Sequence, residues 1–229
     1  MLELNKKPIV IGVGGFARSG KDTFVKIARK ILSQNGMSSK RLAFADALKE
    51  EMDPFLKQHY GISAWTDNTE EKTIIRPFLV AHGCGKRLQT KGKHWIDKLE
   101  KFLSMSGEDV IFISDCRFPN EVDWVHDWEK LRWSGWFVHL KKYTNFQLYS
   151  NGIPDGFFPK YDDAPNAEEA ENDPICEKNA DYKLELENVI ERELRLTGNR
   201  ITADSLIDNQ YLNDEIKLCL TKCPFLTIK

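Results

Sequence analysis

The sequence lacks a long apolar run and an excess of charge of either sign. No apolar stretch reaches the roughly 20 residues that a membrane-spanning helix needs. Lysine and arginine number 33 against 35 acidic residues, and the formal net charge of -2 provides no general attraction for nucleic acid or for a membrane surface. We therefore expect neither as a partner, and small molecules as substrates.

Paired cysteines and metal-binding histidines are also absent from the sequence. The five cysteines include no Cys-x-x-Cys pair and are odd in number, which is typical of free thiols in a reducing compartment and predicts a cytoplasmic protein. The five histidines show no zinc-ligand spacing. A chain of 229 residues, 41% of them hydrophobic, suits one α/β domain with an insertion or a small lid. A homodimer is compatible with the sequence.

One glycine-rich loop lies between a strand pattern and a helix pattern. Residues 8–13 are β-branched and apolar, as in a strand buried on both faces, and apolar residues then recur at helical spacing up to Asn35-Gly36. In this context backbone amides and a helix start converge on one point, which is typical of a phosphate-binding loop. We predict that the loop binds ATP through Gly15, Ala17, Arg18, Ser19, Gly20, Lys21, Asp22 and Thr23.

The end of this loop departs from the standard phosphate-loop pattern. Lys21 supplies a cation for the β- and γ-phosphates, and a neighbouring hydroxyl is needed to hold magnesium. Asp22 follows Lys21 where Ser or Thr is usual, so Thr23 is the predicted magnesium ligand. Adenylate-kinase-type loops also have Thr there, which favours small-metabolite kinases. The Asp22 carboxylate needs a cation, a metal-bound water or a substrate hydroxyl nearby, so it is also a candidate substrate ligand.

Two other interpretations of the loop compete with this one. Residues 12–17 fit a loose dinucleotide-binding fingerprint, but that interpretation leaves Gly20-Lys21 unexplained and shortens the strand. A chance match in an ordinary glycine turn is the second alternative.

The strand pattern Val110–Asp115 ends in a carboxylate and resembles a Walker B strand. Asp115 is expected to hold a magnesium-bound water or to orient the cation Arg117, at the sheet edge where the phosphate loop also opens. Glu121 follows inside the next helix and is a candidate substrate ligand. The alternative is a surface Asp–Arg pair with Glu121 as an N-terminal helix charge.

The segment between these motifs contains candidate acceptor ligands. Residues 41–45 are predicted as the second strand, with Asp46 capping a helix. Lys49, one turn into that helix, either binds substrate or lies on a solvated face.

Two helical pieces are then predicted, Thr69–His82 and Lys93–Met105, separated by Gly83–Arg87. Arg76 and Arg87 are candidate phosphate clamps because a guanidinium binds phosphate in a bidentate manner. Trp95 either stacks on a base or packs in a core.

The remaining pattern predicts two further strands, Trp136–Leu140 and Asp181–Leu186. The tract 141–179 between them is rich in Gly, Pro, Asn and acids and is predicted to be irregular, as in a lid. A helix then runs to Gly198, and another is expected at about 207–220.

Together, these motifs resemble the bacteriophage deoxynucleoside monophosphate kinases, from about Ile9 to Asp181. The resemblance rests on Arg18–Thr23, Phe44–Lys49, the region from Arg76 to Trp95, and Ser114–Glu121. It implies magnesium- and ATP-dependent phosphoryl transfer to a deoxynucleoside monophosphate, giving the diphosphate, in the host cytoplasm for a phage protein.

The resemblance also implies a fold and a set of roles. The fold is a three-layer α/β P-loop kinase with a five-stranded parallel sheet of order 2-3-1-4-5 and a lid insertion. Its domain covers residues 1–198, with an acceptor-binding region at about 46–105 and a lid at about 141–179, and 199–229 form a C-terminal extension. The family's functional positions are matched by Ser19, Asp22, Thr23, Arg76, Trp95, Asp115, Arg117 and Glu121. Lys21, Arg117, Asp115 and Arg76 are the expected catalytic residues.

One segment departs from the family pattern. Family members often have a His-x-Ser/Thr-Glu segment after the fourth strand, whereas this chain has Asn166-Ala167-Glu168-Glu169, and no catalytic lid residue is predicted. Two alternative functions stay open. Animal-type phosphomevalonate kinases have a similar Ser-Gly-Lys-Asp loop, and a P-loop protein can bind ATP without a small acceptor.

Overall fold

The computed structural model describes residues 7–127, 132–150, 153–198, 201–202 and 204–228. Its strands are β1 (Ile9–Gly14), β2 (Ser39–Leu42), β3 (Val110–Ile113), β4 (Ser134–Ser150), β5 (Ile153–Tyr161) and β6 (Tyr182–Glu187). Its helices are α1 (Lys21–Gln34), α2 (Phe44–Tyr60), α3 (Thr69–Thr90), α4 (Lys93–Ser104), α5 (Pro119–His126), α6 (Ala167–Lys178), α7 (Val189–Thr197) and α8 (Gln210–Thr221), with a 3-10 helix at Asp204–Asp208. Within those ranges no helix combines the length and apolar character needed to cross a bilayer.

The strands form one mixed sheet of six strands. β1 pairs in parallel with β3 and with β4, β2 borders β3, and β6 runs parallel to β4. The path β2-β3-β1-β4-β6 corresponds to the predicted order, because β6 is the strand predicted as the fifth. The prediction of five strands, all parallel, is wrong, since β5 adds an antiparallel partner to the far half of β4.

Helices cover both faces of this sheet. On one face, α1 and α8 share a core with the strands, in which Ile11, Phe24 and Ile216 are fully buried. On the other face α5 packs on β1 and β4, and Gly12 permits this approach, because a Cβ there would lie 2.8 Å from atoms of Phe137 and Val125. The fold is therefore α/β with helices on both sides of the sheet.

The chain divides into two compact units. Unit 1 comprises residues 1–41 and 108–229, and unit 2 comprises Leu42–Gly107 with α2, α3 and α4. The predicted acceptor-binding region, about 46–105, falls in unit 2. Residues 199–229, predicted as an extension, belong to unit 1, where α8 contributes to the core of β1 and α1.

The tract 141–179 is largely regular, so the prediction of irregular structure there is wrong. β4 and β5 form an antiparallel ribbon in which Phe146 is paired with Phe158, and these side chains are 49% and 47% exposed. A ribbon whose aromatic residues are exposed has no buried apolar face, so its sequence lacks the pattern from which strands are predicted. α6 buries Glu169 and Asp173, so it lacks the apolar periodicity of an ordinary helix.

Two local predictions in unit 2 are also wrong. α3 continues through Gly83–Arg87, which was expected to separate two helices, because tertiary contacts favour the helix there: Trp95 Nε1 donates to the carbonyl oxygen of Gly83 at 3.2 Å. α2 begins at Phe44 with Ala43 as its N-cap, so Asp46 lies in the first turn and is not the cap. A carboxylate in a first turn still interacts favourably with the helix dipole.

Candidate functional site

The glycine-rich loop joins the end of β1 to the start of α1. Gly15, Arg18 and Gly20 have positive φ angles of 118°, 68° and 96°. Positive φ angles in a turn point neighbouring backbone amides to the same side, and this creates an anion-binding concavity. A side chain at position 15 is excluded, because its Cβ would lie 2.2 Å from the carbonyl oxygen of Leu140. α1 begins at Lys21 and adds its N-terminal partial positive charge to the loop.

Lys21 folds back over the loop. Its ammonium donates to the carbonyl oxygens of Gly15 at 2.7 Å and Phe16 at 2.6 Å, and the residue is 8% exposed. Burial, followed by the Arg117 guanidinium, lowers the pKa of Lys21 to about 8, while nearby carboxylates act in the opposite direction. Lys21 is therefore mostly protonated at neutral pH and provides a cation fixed within the loop.

A carboxylate from α6 reaches this loop. Glu169 is 5% exposed, and its Oε2 accepts a hydrogen bond of 2.7 Å from the amide of Ala17. Its Oε1 accepts from Arg117 Nη1 at 3.0 Å. The loop therefore binds an oxyanion of the protein itself, the Glu169 carboxylate.

The carboxyl end of β3 brings Asp115 and Arg117 to the same loop. The amide of Cys116 donates to the carbonyl oxygen of Val13, at the end of β1, at 3.2 Å. Asp115 and Arg117 both act electrostatically on Lys21. The predicted convergence of these charged groups at one sheet edge is found in unit 1.

Glu121 supports the turn that presents Arg117. It is 2% exposed, and its Oε2 accepts from the amides of Arg117 at 2.8 Å and Phe118 at 3.2 Å. This geometry is that of a residue that holds a helix start. Direct contact of Glu121 with a substrate stays a prediction.

Thr23 and Asp115 are chemically suited to magnesium. Thr23 lies half-buried in the first turn of α1, whereas the Asp22 side chain is 76% exposed and 3.7 Å from Arg41 Nε. Among the described residues, no group of three or more His, Cys, Asp or Glu could hold a metal ion. Magnesium bound to a nucleotide usually takes only one or two protein oxygens, the rest being phosphate and water, so a hydroxyl and a carboxylate are ligand types that fit that ion.

An apolar cavity of about 220 Å³ opens beside the loop. Its lining comes from the loop and α1 (Arg18, Ser19, Gly20, Thr23, Phe24), from β4 (Lys142), from β6 and α7 (residues 186–190), and from the C-terminal segment (Leu206, Leu212, Ile216). Lys142 Nζ donates to the carbonyl oxygen of Arg18 at 2.9 Å and so ties one wall to the loop. The buried Oγ of Ser19 has no hydrogen-bond partner in the described part of the chain.

Two predicted substrate ligands in unit 2, Lys49 and Trp95, contact groups of the protein itself. The Lys49 ammonium lies 4.9 Å from the ring centroid of Trp65, which is 44% exposed. Trp95 is 3% exposed and is bonded to Gly83. Core packing, one of the two interpretations of Trp95, is therefore the arrangement found.

Arg76 and Arg87 lie on one continuous helix, α3. At 1.5 Å and 100° per residue, their Cα atoms are about 16 Å apart along the axis and about 20° apart around it. Both point to one face, with Arg76 exposed and Arg87 half-buried. The two guanidinium groups can bind the same phosphate only when both side chains extend towards each other along the helix.

Glu169 is the site residue that sequence reasoning missed. Its signal was a capping pattern: the Asn166 side chain accepts from the amide of Glu169 at 2.9 Å, three residues on. A helix whose buried face carries Glu169, Asp173 and Cys176 has no apolar stripe, and this concealed both the helix and its orientation.

Comparison with known proteins adds no relative: no protein-family model matches the chain, and no curated protein matches it.

Proposed function

We propose that the chain is a kinase of the P-loop fold that transfers the γ-phosphoryl group of ATP to a deoxynucleoside monophosphate. The observation that carries the proposal is the loop, where the Ala17 amide binds a carboxylate at 2.7 Å and the buried cation Lys21 opens α1. Amides and a cation at a helix start are suited to a polyphosphate. The resemblance in the phosphate loop and in Ser114–Glu121 supports the choice of acceptor.

The proposed reaction requires no covalent intermediate. An oxygen of the acceptor phosphate bonds to the γ-phosphorus, the bond from that phosphorus to the β,γ-bridging oxygen breaks, and ADP leaves. Lys21 and the loop amides hold the ATP phosphates, and Arg117 stabilises charge on the transferring group. Cys116 is no candidate nucleophile, because burial raises the pKa of its thiol well above the ordinary value.

Magnesium, when bound, neutralises the β- and γ-phosphate oxygens. In this proposal the Thr23 hydroxyl would hold the ion, and the Asp115 carboxylate would hold one of its waters or orient Arg117. Lys49, Arg76 and Arg87 are proposed to bind the acceptor.

A second candidate is a P-loop kinase with a small aliphatic phosphate as acceptor. The burial of Trp95 favours it, because a tryptophan that is 3% exposed offers no stacking surface for a base. The proposal of a nucleotide acceptor therefore rests on the motifs and the loop.

The two candidates are separated by an acceptor panel. ATP consumption and product identity are measured with each deoxynucleoside and ribonucleoside monophosphate, with phosphomevalonate as the comparison. The proposal expects a deoxynucleoside diphosphate as product with at least one acceptor. Transfer to phosphomevalonate alone would favour the second candidate, and ATP hydrolysis without any transfer would contradict both.

A further inference from the structure

We propose that Glu169 is a positioning residue of this site, which acts through Arg117: its buried carboxylate holds the Arg117 guanidinium in the arrangement needed for phosphoryl transfer. The inference rests on the function proposed above and adds a residue to it.

Glu169 uses both carboxylate oxygens. Oε1 accepts from Arg117 Nη1 at 3.0 Å and from Asn166 Nδ2 at 3.2 Å, and Oε2 accepts from the Ala17 amide at 2.7 Å. Hydrogen bonds to an ionised group are shorter and stronger than neutral ones. A carboxylate that is 5% exposed is tolerated because these donors replace water. One side chain thereby joins the phosphate loop, the segment after β3 and the start of α6.

The backbone of α6, which carries Glu169, is held in place by contacts other than those of Glu169. One turn further along α6, the Asp173 carboxylate contacts His139 Nε2 on β4 at 2.9 Å. Glu177 forms an ion pair of 2.7 Å with Lys141, also on β4. These contacts fix α6 on the sheet, so the position of the Glu169 carboxylate does not depend on its own bonds alone.

Arg117 needs such a partner. Its side chain is 42% exposed, and an exposed arginine samples many rotamers unless a partner selects one. A cation that must meet developing charge is effective only when its position is fixed in advance. The competing interpretation is that the Glu169 carboxylate occupies an anion-binding site from which ATP must displace it.

The test compares Glu169→Gln with Glu168→Gln, its exposed neighbour in the same first turn of α6. Glutamine keeps the shape and one acceptor oxygen but removes the charge that holds the guanidinium. We expect Glu169→Gln to lower kcat about 10-fold or more. The KM for ATP and the affinity for the non-hydrolysable analogue AMPPNP, measured by calorimetry, should change less than about 3-fold. Glu168→Gln should match the wild type.

Coupling to Arg117 distinguishes positioning from a general structural role. If Glu169 acts through Arg117, adding Glu169→Gln to Arg117→Ala should lower kcat no further, with the melting temperature as a check on folding. Glu169→Asp, which keeps the charge but shortens the reach, replaces the glutamine variant if that variant does not fold.

Two outcomes would overturn the inference: losses that multiply in the double variant, or an unchanged kcat in Glu169→Gln. An unchanged kcat together with AMPPNP binding at least 10-fold tighter would identify the carboxylate as a competitor of phosphate. A wild-type chain that transfers phosphate to no acceptor contradicts the proposed function itself, and this inference with it.

Discussion

The Lys21 ammonium interacts electrostatically with four ionisable side chains. Lys21 and Arg117 are cationic, and Glu169, Asp115 and Asp22 are anionic. Two further cations lie at the loop: Arg18 is part of it, and the Lys142 ammonium donates to the carbonyl oxygen of Arg18 at 2.9 Å. In the proposed function, a divalent cation bound with ATP would offset the repulsion between these carboxylates and the phosphates.

At this scale the first prediction concerns the metal ligand. Thr23→Val removes the half-buried hydroxyl that the proposal assigns to magnesium, whereas Asp22→Asn changes a side chain that is 76% exposed. We expect Thr23→Val to raise the magnesium concentration at half-maximal activity more than Asp22→Asn does. Activity measured against magnesium for both variants decides this, and equal midpoints would refute the assignment.

The second prediction concerns the planar guanidinium of Arg117, which follows β3. Arg117→Lys keeps the charge but loses the planar fork that bonds Glu169 and that we propose to bond a phosphate, so we expect kcat to fall about 10-fold. Arg29→Lys, on α1 with its guanidinium on the Ser39 carbonyl, is the matched control. Kinetics are measured separately for ATP and for the monophosphate. Normal constants for both in the Arg117→Lys protein would remove Arg117 from the proposed site.

Elements with an apolar face were predictable from the sequence, and elements without one were not. β1, α1 and β3 carry buried apolar side chains, and their predicted positions are confirmed. α6 buries carboxylates, and the β4–β5 ribbon exposes aromatics, so neither shows the expected periodicity. Lys21 and Thr23 lie on the first group, and Glu169 lies on the second.

Also at the scale of elements, a single carboxylate connects the three helices of unit 2. Glu51 on α2 accepts from His82 Nε2 on α3 and His94 Nε2 on α4, each at 2.9 Å, and pairs with Lys98 at 3.1 Å. Although partial burial opposes ionisation, these bonds, led by that of His82, lower the pKa of Glu51 to about 2. The ionised form is therefore favoured in the folded chain.

The third prediction follows from the sign of this shift. Because the folded pKa lies below the ordinary value of 4.5, Glu51 stabilises the fold fully above about pH 4.5, and this contribution is lost as the pH falls towards 2. Glu51→Gln should lower the free energy of unfolding at pH 6, and the difference from the wild type should shrink on acidification. Urea unfolding between pH 6 and 2.5 measures it, with the exposed Glu50→Gln as control. A difference that does not depend on pH would contradict the account.

At the scale of the whole molecule, the C-terminal residues belong to the core of unit 1. Ile216 on α8 is fully buried, whereas Leu218 on the same helix is 49% exposed. The fourth prediction is that Ile216→Ala lowers the free energy of unfolding by about 2–5 kcal/mol and Leu218→Ala by no more than about 0.5 kcal/mol. Chemical denaturation of both variants measures this. Equal, small effects would mean that α8 is a separable extension.

The motifs of the sequence predicted the convergence of Lys21, Asp115 and Arg117, because they indicate where each strand ends. The sheet order was implied by the family resemblance alone. The sequence did not predict which residues would be brought to the loop from distant helices, since that depends on how α6 packs on β4. The buried state of Trp95 was likewise undetermined, because a helix periodicity does not distinguish a packed aromatic from a binding surface.

The central claim is that the loop of unit 1 binds ATP for phosphoryl transfer, and Lys21→Ala tests it most directly. Transfer of the labelled γ-phosphoryl group from ATP to deoxynucleoside monophosphates is measured for the wild type, for Lys21→Ala and for the exposed Lys26→Ala on the same helix. The account predicts labelled diphosphate from the wild type and from Lys26→Ala, and a kcat lowered about 100-fold or more in a folded Lys21→Ala protein. A folded Lys21→Ala protein with near-normal kcat would contradict it.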